Sequence, residues 1–549
     1  MKKKIVSILL AGLTAITAFG AIGCGGGGDE IVTDVKTLNI KSIKAGYGVD
    51  HLYALKDQFE KTFAEEGYKV NILTPQRDIQ DTVVLSDIMA AKGVGVDIYF
   101  TDITNEREMV SGDYGQCAAD ITELVWNQKP IGFDKKEEDV TVASKLNFEE
   151  YYYSIMVDGK CYAIPWNKGT RGLAVNKKVL ENYNLTVPRT TKELFHCYEV
   201  IMKDAYTTGV FPFTAVEGTN SYSNSFQECT IAQYDGLEAY NRFWSFDNAD
   251  GTVVEKPYEL FGSEGIKIMI NNLYRLYDHN VLTYGSTTQD FMAAQGKFMN
   301  GSCAFMPNGV WLLNEVKQIY GNKLDDITFT NVPVVSELGV KTFASYGFNE
   351  EECDEVMSAI IALVDENKEI SEIKTTIDAK YSKDFKEADI ERIAEARGIY
   401  IADSVSSKII ISEKSQKKDI AALFLRMCAS QDGAKLISDN INAGNPFDNR
   451  TESSSKYEFV RKSMMIPYNK YGKGITGFAA GTRKTVNEFK NLIPYAGQFL
   501  LTKVREEEIS IYDDMTGEKI KDISVYMTAA EELQRKAVED AKKKWENRK

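Results

Sequence analysis

Hydrophobic and polar residues alternate from Thr37 to Ile43 (TLNIKSI), the period of a strand with one face buried. A short loop, Lys44-Ala45-Gly46-Tyr47-Gly48, follows, and the period then lengthens. Leu52, Leu55, Phe59 and Phe63 recur on one face of a helix. Val70 to Leu73 reads as a second strand. Val83, Val84, Ile88 and Met89 mark a second helix, and Val96-Asp97-Ile98-Tyr99-Phe100 a third strand. This β-α-β-α-β order predicts a mostly parallel sheet with helices on both faces. Such sheets meet their ligands on the loops at the carboxyl ends of the strands. Those loops are Ala45 to Val49 and Thr101 to Asn105.

From about residue 176 to 342 helices alternate with short strands. One helix carries Leu260, Ile266, Ile270, Leu273 and Leu276; Asp290-Phe291 announces another. Residues 354–397 place Glu, Lys and Ile at helical spacing without a Gly or Pro, which predicts two or three amphipathic surface helices. Thr528 to Trp545 reads as a long charged helix that packs on Leu533, Ala537 and Trp545. The stretch from Asn442 to Tyr471, richer in Gly, Pro, Asn and Ser, reads as loop.

The amino terminus follows a different logic. Lys2, Lys3 and Lys4 precede an apolar run from Ile5 to Ile22, which ends in Ala21-Ile22-Gly23-Cys24. A basic start, an apolar centre and small residues at the end make an export leader. A cysteine directly after the cleavage point is the signature of a bacterial lipoprotein box, here with Ala21 where Leu is commonest. Cys24 is the expected lipidation site, and Gly25 to Gly28 with Asp29 and Glu30 the flexible tether. The rest of the chain is then expected to work at the extracellular face of the membrane.

Charge and chemistry narrow the classes. Removing Lys2, Lys3 and Lys4 with the leader takes the net charge from −15 to −18, which argues against a nucleic-acid partner. Beyond Cys24 there are seven cysteines, an odd number with no C-x-x-C pair, so buried apolar roles are expected rather than disulfides or a zinc ribbon. The three histidines, His51, His196 and His279, show no metal-ligand spacing, and the phosphate-loop, G-x-S-x-G and H-E-x-x-H motifs do not occur. Asp247 and Asp250 sit in an apparent hairpin turn that lacks the rest of a calcium-loop ligand set. No catalytic residue, metal or cofactor is expected.

Three segments carry a resemblance. They are DGKCYAIPWNKGTRGLAVNKKVLENYNLTVPRTTKELFHCYEVI from Asp158, FMAAQGKFMNGSCAFMPNGVWLL from Phe291, and IYIADSVSSKIIISEKSQKKDIAALFLRMCAS from Ile399. In this order they resemble the extracellular solute-binding proteins of carbohydrate ABC transporters, the maltose-binding-like family. The chain departs from the family pattern at Val175, where a Tyr is usual, and at Thr191-Lys192, which replace a Trp and its neighbour. The resemblance implies an α/β, two-lobed periplasmic-binding-protein-like fold of type II. Each lobe would be a mostly parallel sheet flanked by helices, with extra inserted and C-terminal helices, joined by strands that cross twice. The implied division is a signal peptide over 1–23, lipidated cysteine and tether over 24–36, and a first lobe from 37–168 and 345–440, the inserted helices of about 354–397 included. The second lobe takes 169–344 and the C-terminal helices of 441–549. Pro165, Gly169 and Gly172 mark the first crossing and are the expected hinge.

A sugar has apolar C–H faces and a polar equator, so its site pairs flat aromatic rings with hydrogen-bonding groups. Trp311 follows Asn308-Gly309 on a loop after an apolar strand, at a position matching the family's stacking tryptophan. It is expected to be filled by ligand rather than to serve the core. Tyr222, Trp166 and Tyr47 are the other expected rings, and Asp102, Arg171, Glu217, Asn220 and Asn308 the expected hydrogen-bonding residues. The implied protein is a monomeric, lipid-anchored substrate-binding component that captures a sugar or oligosaccharide and delivers it to an ABC permease. A surface glycoside hydrolase and a ligand-presenting subunit of a membrane sensor kinase are the alternatives.

Overall fold

The alternating run becomes the strand Thr37–Ser42, with Leu38 and Ile40 buried and its partners parallel on both sides. Leu38 lies opposite Val70 of Lys69–Ile72, and Ile40 opposite Ile98 of Ile98–Asp102. The computed structural model describes residues 30–42, 46–73, 95–102, 110, 116–146, 155–215, 222–248, 250, 252–278, 280–286, 288–402, 407–450, 452–475, 498–507 and 509–547. Cys24 with its leader, the helix expected through Val83 to Met89, and Glu217 and Asn220 lie outside the described residues, as does the side chain of Asp102.

Two strands from later in the chain complete the first sheet, Ser407–Ile411 beside Ile98–Asp102 and Ile164–Pro165 at the edge, both antiparallel. The second sheet runs Lys473–Ile475, Ile399–Ala402, Thr170–Asn176, Cys303–Gly309 and Phe211–Phe213, with Ile327–Thr330 also paired to Thr170–Asn176. Antiparallel pairings outnumber parallel ones here, so the sheets are mixed rather than mostly parallel. Thr170–Asn176, which enters from the other sheet, runs antiparallel to all three of its neighbours, Cys303–Gly309, Ile327–Thr330 and Ile399–Ala402.

Among the described residues the chain passes between the sheets three times, where two crossings are expected. It leaves the first sheet at Pro165 and enters the second at Thr170. It returns between Ala402 and Ser407. The third passage follows Phe447, which packs in the first sheet's core, and ends before Phe459, which packs beneath the second. The expected loop from Asn442 to Tyr471 therefore also contains a helix, Glu458–Met465, with Phe459, Val460 and Met464 buried. Its apolar stripe is only two turns long, too short to stand out among Ser and Asn.

Residues 354–397 form three helices, Glu350–Asp365, Ile370–Tyr381 and Glu387–Gly398. The first opens on a full capping box, Asn349 with Glu352. They do not join the first sheet as expected. Val356, Ile360, Ile373, Ile377, Ile390 and Ile393 build a core with Val334, Leu338 and Phe343, next to the second sheet. Arg397 fixes the attachment: its guanidinium pairs with Asp365 at 2.7 Å and donates to Thr330 Oγ1 of the second sheet at 3.0 Å. The last of these helices then runs directly into Ile399–Ala402. A helical stripe specifies that one face is buried, not which sheet buries it.

The C-terminal helix, Ser524–Glu546, buries Tyr526, Ala530, Leu533, Ala537 and Ala541 in the core of the second sheet. Among the described residues, no helix is long and apolar enough to cross a membrane.

Candidate ligand-binding cleft

The carboxyl end of Thr37–Ser42 leads into Gly46-Tyr47-Gly48, where both glycines take left-handed φ values of 69° and 72°. That turn sends the Tyr47 ring to the place where the two sheets meet. Helix Asp50–Thr62 starts just after it, and its second residue, His51, is wholly buried. The first passage between sheets adds Trp166, stacked on His51 with ring centroids 4.8 Å apart and planes 12° from parallel. Tyr47 meets Trp166 edge-on at 5.5 Å, and Phe100 meets it at 5.7 Å.

Trp311 comes from the other sheet. It lies two residues after the strand Cys303–Gly309 and immediately before the helix Leu312–Tyr320, whose Leu312 and Leu313 pack under the second sheet. Trp311 itself reaches into the core of the first sheet. It meets Tyr47 at 6.0 Å, 80° from parallel, and Tyr222 at 5.6 Å. The Arg171 guanidinium lies over the Tyr222 ring at 5.8 Å. Four expected rings and Arg171 thus converge on one place, drawn from both sheets. Trp311 is 6 % exposed, so it serves the packing between sheets and is not the freely standing loop ring expected from sequence.

Asn308 lies opposite Gly172 and is fully buried; its Oδ1 accepts from the Gly309 amide at 2.7 Å, a local bond within the strand end. Gly169 and Gly172 have no left-handed backbone; close neighbours are what exclude a side chain. A Cβ at Gly169 would lie 2.0 Å from the Tyr47 hydroxyl, and one at Gly172 2.6 Å from the Thr330 carbonyl oxygen.

Sequence reasoning missed a second, polar layer across the junction. Asn445 Nδ2 donates to the Trp166 carbonyl at 2.8 Å, and the Lys168 amide to the Gly444 carbonyl at 2.7 Å, which ties the first passage to the segment just ahead of the third. Asn314 Nδ2 donates to the Ile441 carbonyl, and Asn442 Nδ2 to Asn314 Oδ1 at 2.7 Å. Lys317 pairs with Asp50 at 3.5 Å. Glu315 accepts from Gln295 Nε2 at 2.5 Å and from the backbone of Gly46, on the first sheet's side. Burial raises its carboxyl to about 7, although those two bonds favour the charged form. Glu315 stands four residues after Trp311, on the same face of one helix, and that spacing was the available signal. Burial drives His51 the other way, down to about 3, so its imidazole is neutral.

The seven cysteines beyond Cys24 are buried, as small apolar side chains are. Among the described residues, no three His, Cys, Asp or Glu groups gather as a metal site would require.

Two sheet-based halves, joined by three passages around an aromatic junction, describe a receptor architecture, and the sequence profile of one family covers residues 54–352. The chain belongs to the bacterial extracellular solute-binding proteins. Solved structures share the fold of this solute-binding protein. A chitin oligosaccharide binding protein, 15 % identical, superposes with a TM-score of 0.53 over 92 % of this chain and 99 % of its own. RafE, solved in complex with raffinose, is 13 % identical with a TM-score of 0.53, covering 91 % and 99 %. The GacH receptor of Streptomyces glaucescens, solved unliganded and with acarbose, is 14 % identical with a TM-score of 0.51, covering 91 % and 98 %. No curated protein sequence matches the chain.

Proposed function

We propose that this solute-binding protein is the lipid-anchored, monomeric receptor of an ABC importer, which captures a sugar or oligosaccharide between two lobes and delivers it to the permease. The observation that carries the reading is the convergence of Tyr47, Trp166, Trp311 and Tyr222 from both sheets, with Arg171 beside them. Flat rings suit the C–H faces of a pyranose, and the neighbouring amides and carboxylate suit its hydroxyls. The structural relatives solved with raffinose and acarbose support the same ligand class. Asp102, Glu217, Asn220 and Asn308 remain proposed contacts. Ligand held by both lobes favours the arrangement in which they meet, and that arrangement is what a permease would recognise. The hinge is assigned to Pro165, Gly169 and Gly172.

Thermal shift against raffinose, galactose, maltotriose and chitobiose tests the reading. A sugar at a hundredfold excess over its Kd adds about 2.7 kcal/mol to stability, and scattering from the same sample is expected to show a smaller radius of gyration. A flat melting temperature across all four sugars would count against a saccharide ligand.

The anchor is tested separately. Two or more acyl chains hold a protein at a membrane surface durably, so the native protein is expected in the detergent phase and Cys24→Ser in the aqueous phase or as uncleaved precursor. Equal partition of both forms would remove the lipoprotein reading.

A further inference from the structure

Buried polar side chains almost always find a partner, and those that do not call for an explanation. Three such side chains meet at the first passage between the sheets. Neither Nδ1 nor Nε2 of His51 has a hydrogen-bond partner among the described residues, and the same holds for Trp166 Nε1 and Asn167 Nδ2. The three residues are 0 %, 1 % and 0 % exposed. Contact geometry links them: His51 stacks on Trp166, Asn167 follows Trp166 in the chain, and the Tyr47 hydroxyl lies 3.5 Å from Asn167 Oδ1.

The orientation of the Asn167 amide is fixed by its neighbours. Its Oδ1 accepts from the Gly169 amide at 3.1 Å and from the Tyr47 hydroxyl, both donors, so Nδ2 must point elsewhere with two hydrogens to give. Trp166 Nε1 is a donor only. A neutral imidazole has one donor and one acceptor, and burial keeps His51 neutral across physiological pH. The set holds no formal charge. It would leave an anion without a cation and a cation without a carboxylate. A hydroxyl, which both donates and accepts, fits each member.

We infer that His51, Trp166 Nε1 and Asn167 Nδ2 form a neutral polar subsite that takes the hydroxyls of one sugar ring, with His51 as the residue that reads their placement. The inference rests on the saccharide reading above and adds the residues that select within that class. His51 stands behind Trp166, at the start of the first helix, where hydropathy alone assigns it to the core.

Calorimetric titration of the native protein and of His51→Phe with raffinose, galactose, maltotriose and chitobiose decides it. Phenylalanine retains a flat ring against Trp166 and removes both nitrogens. The variant alone is expected to melt at or above the native temperature, because two unpartnered polar atoms leave the interior. Its affinity for the sugar that the native protein binds most tightly is expected to fall at least tenfold. His51→Gln, which restores one donor and one acceptor, is expected to bind more tightly than His51→Phe. Native binding with an unchanged Kd in His51→Phe overturns the subsite and leaves the saccharide reading standing. Absence of native binding to all four sugars overturns both. Should His51→Phe fail to fold, Asn167→Asp takes its place, retaining the acceptor for Gly169 and exchanging the amide donor for a carboxylate oxygen that can only accept: a tenfold loss supports the subsite and an unchanged Kd overturns it.

Discussion

Trp311→Ala is expected to lower the stability of the protein alone by about 3–5 kcal/mol, the range for removing a large buried aromatic side chain. The ring spans the junction: its chain neighbours Leu312 and Leu313 pack under the second sheet, while the indole packs in the core of the first. Removal leaves a void between Tyr47 and Tyr222 that neither sheet can close by itself. Urea unfolding measures the loss, and scattering is expected to show the two halves further apart. Sugar affinity is expected to fall with it. A variant that unfolds at the native urea concentration would mean that the indole does not bridge the sheets in solution.

The second large effect is on pH. Glu315 has a carboxyl raised from 4.5 to about 7 by burial at the junction. A raised carboxyl means that the folded protein holds its proton more tightly than the unfolded chain. The stability it contributes is fully present below pH 4.5 and is lost as pH rises through about 7. At 1.36 kcal/mol per pKa unit the loss is at most about 3 kcal/mol. Glu315→Gln retains an acceptor for Gly46 and Gln295 and removes the titration. Urea unfolding between pH 4.5 and pH 8 is expected to show the native protein losing ground relative to the variant over this window. Parallel pH profiles for the two proteins would refute the assignment.

Much of this architecture is legible in the chain because burial leaves a period. The alternation of Thr37–Ser42 and the stripe of Leu52, Leu55 and Phe59 specify a strand and a helix with their buried faces. Large rings near strand ends, such as Tyr47 and Trp311, also stand out. What is not legible is which sheet an element joins. The helices around Ile360 and Ile393 carry a clear stripe, yet the partner that buries it is set by contacts such as Arg397 with Thr330. The polar layer is equally silent. Asn314, Asn442 and Asn445 have no period, and each matters only through a backbone group or amide far away in sequence. His51 was hidden for the opposite reason, being a polar residue in the midst of an apolar helical face.

The three passages between the sheets have a mechanical consequence. A single linker would let two bodies swing, twist and slide. Here the passage at Trp166 to Gly169 is tied by hydrogen bonds to Gly444 and Asn445, just ahead of the third passage. Several linkers between two bodies restrict their relative motion more than one does. How the two halves can move apart is therefore limited by the backbone as well as by the side chains between them.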